Sequence, residues 1–217
     1  MAALRPAQGG WDLLDAAGHV LAHSDIAVVA TALDSAGLLA SAAAHLPPPT
    51  LNPVRGQVSW APHAAGPPAL PPQLPTHALN GHGHFIPCAP VGGEPAWFCG
   101  STYGRGEQDA TPRTADHVAN LQRLQALAPQ LGAALAPLFD TGSVQAWTGV
   151  RCTSRDRRPL VGEWAPGLWL STALGSRGLT FAALCAELMA ARLHGEPLPL
   201  PQRLAQALDV RRVLPGS

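Results

Sequence analysis

Thr172-Ala173-Leu174-Gly175-Ser176-Arg177-Gly178-Leu179 sits between two apolar stretches of opposite character. Before it, Gly167-Leu168-Trp169-Leu170-Ser171 has the length and bulk of a short buried strand. After it, Phe181 to Leu193 is rich in Ala, Leu and Met and reads as a helix. The joining loop holds two glycines and one arginine. Glycine allows positive φ and close approach of a ligand. A helix starting there aims free N–H groups and the positive end of its dipole at whatever lies in front. Strand, glycine turn and helix start are the means by which an α/β protein offers backbone donors to a phosphate or an electron-rich ring. Ordinary strand-to-helix turns look the same, so the loop alone leaves both readings open.

Working towards the N-terminus, Ser143 to Arg151 is a further strand, followed by the polar turn Thr153-Ser154-Arg155-Asp156-Arg157-Arg158-Pro159. Between Thr114 and Leu138, Val118, Leu121, Leu124, Leu127, Leu131, Leu135 and Leu138 recur at three or four, an amphipathic helix or two broken near Pro129. Strand-like runs cover His82–Cys88 and Ala96–Thr102, with Gly92-Gly93 as the turn. Asn52–Trp60 is another strand, set between proline clusters; the second cluster, around Pro67-Pro68, suits an exposed extended loop. A hairpin over Gly10–Ala22 turns at Ala17-Gly18. Ser24–Thr31 reads as a strand buried on both faces, with a helix from Asp34 to His45 after it. Such a strand so early suggests a sheet whose first strands lie outside this chain.

With 217 residues, 47% of them hydrophobic, the chain can build an ample core as one large or two small domains. No apolar run reaches the roughly 20 residues of a membrane helix, and the first residues lack the apolar segment of a secretion signal. The formal net charge is zero, which gives no global pull towards nucleic acid or membrane. All 14 basic residues are arginine. Cys88, Cys99, Cys152 and Cys185 are scattered, without a C-x-x-C pair, as expected of free thiols in a reducing, cytoplasmic setting. His82, His84 and Cys88 could share a strand face, but no spaced fourth ligand accompanies them, and no metal is expected.

In order, these pieces resemble the C-terminal two-thirds of flavin-dependent amine oxidoreductases of the D-amino-acid oxidase and glycine oxidase type. The resemblance rests on Val28-Val29-Ala30-Thr31, Pro53-Val54-Arg55-Gly56-Gln57, Gly149 to Gly162, and Leu174-Gly175-Ser176-Arg177-Gly178-Leu179. Gly100-Ser101-Thr102-Tyr103, the Gly-Ser-Arg-Gly wording and Glu196 to Leu200 point more narrowly to the oxidoreductase domain of bifunctional enzymes that mature the wobble uridine of certain tRNAs. The fold it implies is α/β (α+β): residues 1–50 a remnant of an incomplete FAD-binding, Rossmann-like domain, 51–148 a substrate domain with a mixed or antiparallel sheet, and 149–217 a return to the first domain. The family's G-x-G-x-x-G turn, which holds the ADP half of FAD, is absent from this sequence, and so is a methyltransferase domain. Ala32 stands where the family usually has glycine. A fragment, colourless when purified, is therefore expected, with a missing N-terminal segment or methyltransferase domain as its natural partner.

The resemblance implies FAD as cofactor and tRNA as substrate, with no membrane partner. The reaction would oxidise the CH–NH bond of a 5-carboxymethylaminomethyl (2-thio)uridine and release glyoxylate. Arg151 and Arg177 would grip the carboxylate, for which the planar guanidinium fork is suited; their alternative is a surface or structural role. Val29, Ala30 and Thr31 would pass near the FAD pyrophosphate, Gly56 and Gln57 beside the flavin, and Gly175, Ser176, Gly178 and Leu179 would offer N–H groups to the flavin ring. Tyr103 would stack on the uridine or simply cap a strand. Arg155, Arg157 and Arg158 would touch tRNA phosphates or form a solvated turn. Two other readings stay open: a glycine or D-amino-acid oxidase acting on a free amino acid, and a non-catalytic remnant.

Overall fold

The structure, a computed structural model, describes residues 2–43, 45–64 and 74–214. The prolines at 67 and 68 fall outside them. By its internal contacts the chain divides into two compact units, Met1–Pro53 with Arg151–Ser217, and Val54–Val150.

The first unit opens with an antiparallel meander, β1 (Ala3–Ala7), β2 (Gly10–Leu14) and β3 (Val20–Ser24). The hairpin expected over Gly10–Ala22 is β2–β3, its turn held by Asp15, whose carboxylate accepts from the Ala17 and His19 amides. β4 is only Ala27–Val29, shorter than the Ser24–Thr31 strand expected, because Ser24 is taken up by the meander. Nor is it buried on both faces: Val29 is buried and Val28 is 50% exposed. A 3-10 turn (Ala32–Asp34) leads into α1 (Ser35–Ala42), which buries Leu38 and Leu39. After the second unit the chain returns in β11 (Leu160–Ala165), β12 (Leu168–Thr172), α4 (Gly178–His194) and α5 (Gln202–Leu208). β12 lies between antiparallel β11 and parallel β4. Leu39, Leu160, Leu168, Leu170 and Val210, all fully buried, anchor this unit's main core.

α4 stops at Gly195, whose φ of +67° is the left-handed conformation that lets the Glu196 amide reach back to the Ala191 carbonyl at 2.8 Å.

The second unit is one sheet in the order β10 (Gln145–Ser154), β5 (Leu51–Pro62), β8 (Glu94–Gly100), β7 (Gly83–Val91), β6 (Leu79–Gly81), with the short β9 (Gly104–Arg105) also pairing with β5. Helices α2 (Thr114–Leu127) and α3 (Pro129–Asp140) break at Ala128, as the proline after it requires. They present Leu124, Leu131, Leu135 and Leu138 to Phe85, Trp97 and Cys99 on the sheet. β11 and α5 are elements that periodicity did not bring out.

Candidate functional site

In the first unit, β4 and β12 run parallel in the register Leu168↔Ala27, Trp169↔Val28, Leu170↔Val29, so their carboxyl ends emerge side by side. Open α/β sheets bind ligands outside the carboxyl ends of neighbouring parallel strands. Both strands here are followed within a few residues by a helix start. Beyond β4 come Ala30, Thr31 and Ala32, all exposed, and Ala32 takes φ +51°, the conformation that glycine adopts freely. Beyond β12, Ala173 (φ +60°) and Gly175 (φ +62°) reverse the chain into a 3-10 turn, Gly175–Arg177, which runs straight into α4. The helix thus begins at Gly178, three residues before the expected start.

Two hydroxyls lock the corner. Thr172 donates to the Ala32 carbonyl at 3.1 Å and lies 3.8 Å from the Cys152 sulfur, tying the β4 exit, the β12 exit and the end of β10 together. Burial pushes the Cys152 thiol up, and the Thr172 contact offsets part of that shift. Thr153 donates to the Asn52 carbonyl, and its methyl group stands 3.3 Å from where a side chain on Gly175 would begin. Glycine is required there on two counts, its φ and that close approach. Arg151, half-buried, is two residues before Thr153 on β10, and strand alternation puts both on one face. Sequence reasoning did not single out Thr172 or Thr153 as the residues that hold this corner; the signal for Thr172 was its place as the last residue of a strand before a glycine turn.

No side chain caps the N-terminus of α4. Ser176 and Thr180 are exposed, and Leu179 is 99% exposed. The start of a 17-residue helix, with its first-turn amides, thus stands without a side-chain cap beside an exposed strand exit. That donor set fits an electron-rich ring edge and a pyrophosphate, the parts of FAD these segments would meet. Arg177 is exposed, its guanidinium 5.2 Å from the centre of the Phe181 ring. It lines a groove with Arg158 and Arg203, which Arg151 does not line.

The second unit treats its sequence-selected residues differently. Arg55 is 1% exposed and wholly engaged: Nε donates to Asp109 O, one terminal nitrogen to Asp116 at 2.5 Å, and the other to Thr111 O and Gln57 Oε1. Gln57 is fully buried; its Oε1 also accepts from the Arg113 amide, and its Nε2 donates to the Arg113 carbonyl. Gly56 is buried between them. Asn120 donates to Gln57 O and to Ser59, and Ser59 meets His117 Nδ1 at 2.8 Å. Burial lowers the His117 pKa, against a smaller raising effect of Asp116. Tyr103, in the stretch between β8 and β9, is 55% exposed. His82 is exposed before β7 and His84 lies on it; among the described residues no group of three or more His, Cys, Asp or Glu is placed to hold a metal.

Paired parallel strand exits, each opening a helix, make an α/β corner of the kind at which open sheets bind ligands, and comparison with known proteins gives its family. Residues 2–192 match the FAD dependent oxidoreductase (DAO) family, and the chain belongs to that family. Among sequenced relatives it is 48% identical over 205 residues to the tRNA 5-methylaminomethyl-2-thiouridine biosynthesis bifunctional protein MnmC of Polaromonas sp., covering 91% of this chain and 31% of that protein. It is 42% identical over 228 residues to MnmC of Albidiferax ferrireducens, covering 98% of this chain and 37% of that protein. The chain thus spans about a third of the length of the curated relatives it matches. In fold it is similar to iminodiacetate oxidase from Chelativorans sp. BNC1 (TM-score 0.66, 23% identity, 93% of this chain and 51% of that one). It is likewise similar to glycine oxidase from Geobacillus kaustophilus (TM-score 0.66, 18% identity, 92% and 49%). The α/β class, the FAD-linked oxidoreductase family and the wobble-uridine resemblance expected from the sequence are thereby borne out.

Proposed function

We propose that this chain is a portion of an FAD-dependent oxidoreductase acting on the carboxymethylaminomethyl group of a tRNA wobble uridine. The supporting observation is the locked corner: exposed β4 exit, uncapped α4 start and Arg151 on the strand whose Thr153 packs against Gly175. Val29, Ala30, Thr31, Gly175, Ser176, Gly178 and Leu179 would hold FAD, chiefly through backbone amides. Gln57, its side chain already engaged by Arg55 and Arg113, and Gly56, which has none, would contribute only through backbone placement. Bound FAD would supply the two-electron oxidation of the carbon beside the substrate nitrogen, after which water releases glyoxylate and the aminomethyl uridine.

This chain's own residues bind and orient. Arg151 and Arg177 would each offer a charged fork to the substrate carboxylate, fixing the C–H bond in position. The α4 amides would stabilise negative charge that develops in front of them. Tyr103 would offer an exposed ring for stacking on a base. Residues 1–50 and 149–217 would make the cofactor-binding portion and 51–148 the substrate portion. A cytoplasmic setting is part of the proposal, with tRNA as partner, a further segment supplying the remaining cofactor contacts, and a methyltransferase domain as a further partner; among the described residues no helix is long and apolar enough to cross a membrane.

The test, run with the segment that supplies the remaining cofactor contacts present, pairs flavin fluorescence on titrating the protein into FAD with glyoxylate release from tRNA carrying the modification and from free glycine. Quenching plus release from tRNA alone, with KM raised by Arg177→Met and Arg151→Met, is the expected result. Release from glycine alone moves the chain to the amino-acid oxidase reading. An unchanged KM in both variants removes the two arginines from the carboxylate.

A further inference from the structure

The zero net charge conceals an uneven distribution. Among the described residues Arg5, Arg55, Arg113, Arg192, Arg211 and Arg212 are ion-paired with carboxylates. Arg158, Arg177 and Arg203 are in no such pair, yet they converge on one groove of about 530 Å³ formed by α4, α5 and the turn after β10. Its floor is apolar, with Phe181, Leu184 and Leu204, and among the described residues no carboxylate lines it. The one acid of the adjoining turn, Asp156, is occupied by Arg212 at 3.1 Å, and Arg155 and Arg157 of the same turn are exposed.

We infer that this groove receives a single-stranded segment of RNA, with Arg158 and Arg203 on backbone phosphates and an unstacked base or ribose on the apolar floor. The inference rests on the tRNA reading above and assigns the surface that would carry it. Phosphates alone account for the rim but not for the floor. Single-stranded RNA supplies both, because its splayed bases present flat apolar faces alongside each phosphate. A duplex hides those faces and would use the rim only. Arg177, at the α4 start, would then lie where the bound strand meets the substrate carboxylate.

The experiment measures fluorescence anisotropy of the full chain with a labelled RNA hairpin carrying a single-stranded loop, and with a blunt duplex of equal phosphate number, across a KCl series. The hairpin should bind at least tenfold more tightly. The double variant Arg158→Gln/Arg203→Gln should weaken it by tenfold or more and reduce the slope of log K against log salt by about 1.4, or roughly 0.7 for each single-strand phosphate no longer neutralised by an arginine. Arg105→Gln, an exposed arginine of the other unit, is the control for losing a positive charge elsewhere and should change little. Flavin quenching on the same variants is expected to stay as in the parent chain. Equal binding of hairpin and duplex, or a slope insensitive to the double variant, overturns this surface while leaving the tRNA reading intact. No binding of either RNA overturns both, as does arginine-dependent binding of a medium-chain carboxylate without RNA binding.

Discussion

Replacing Arg55 by Met separates a structural strut from a ligand contact. The side chain is 1% exposed and donates to the Asp116 carboxylate, to the Asp109 and Thr111 carbonyls and to Gln57. Methionine fills much of the volume but leaves Asp116, whose side chain is only 17% exposed, without its counter-charge. Breaking one side of a buried ion pair costs about 3–5 kcal/mol, and the orphaned carbonyls act in the same direction. At about 2–4 °C per kcal/mol for a chain of this size, the midpoint should fall by roughly 6–20 °C. Urea unfolding followed by tryptophan fluorescence measures the loss directly. A cycle with Asp116→Asn should show coupling of about 2 kcal/mol or more, since the double variant no longer buries an unpaired carboxylate. FAD affinity per folded molecule should be unchanged. A loss below about 1 kcal/mol, or additive single effects, would refute the strut; a normal stability with lost FAD affinity would make Arg55 a cofactor contact instead.

Ala32→Gly should raise stability by about 0.5–1 kcal/mol: relief of the left-handed strain at φ +51°, about 1–2 kcal/mol, outweighs the extra unfolded-state entropy of glycine. Chemical denaturation reads it, and a lower midpoint would contradict the backbone assignment. Asp156, its carboxyl held well below the usual range chiefly by Arg212, contributes stability present above the ordinary carboxylate range and lost as pH falls below it. The pair is partly exposed, so Asp156→Asn should cost no more than about 1 kcal/mol at pH 7, a deficit that shrinks on acidification. For the thiols, burial pushes Cys99 up to about 12 and raises Cys152 and Cys185 as well, whereas Cys88 is exposed. A thiol reagent at about pH 8 should modify one cysteine in the native chain and all four after denaturation; two fast-reacting thiols would place another sulfur at the surface.

What the sequence made legible was local, and what it hid was long-range. The corner at Thr172–Leu179 could be read as a strand-to-helix turn because its glycine pair falls between an apolar strand and a helix, while its ligand role came only with the resemblance. Pro129 marked the α2–α3 break because a proline restricts the residue before it. Ala32 was visible as an alanine in a glycine's place, and its positive φ confirms that the position makes a glycine's demand. By contrast, the hydroxyl that fastens this corner joins Thr172 to Ala32 across 140 positions, a link that periodicity within one window cannot carry. Arg55 was hidden for the opposite reason: an arginine in a strand reads as a surface or ligand-facing charge, and only the return of Asp109, Thr111 and Asp116 from more than fifty residues away lets it be buried. Ion pairing is likewise what separates the arginines of the α4–α5 groove from six of their fellows. A composition of fourteen arginines against fourteen acids looks neutral everywhere until the pairing is known. Once six arginines are matched to carboxylates, three of those that remain, Arg158, Arg177 and Arg203, line one groove beside the helix start that the glycine corner creates, so their charge favours an anionic ligand at that end of the unit.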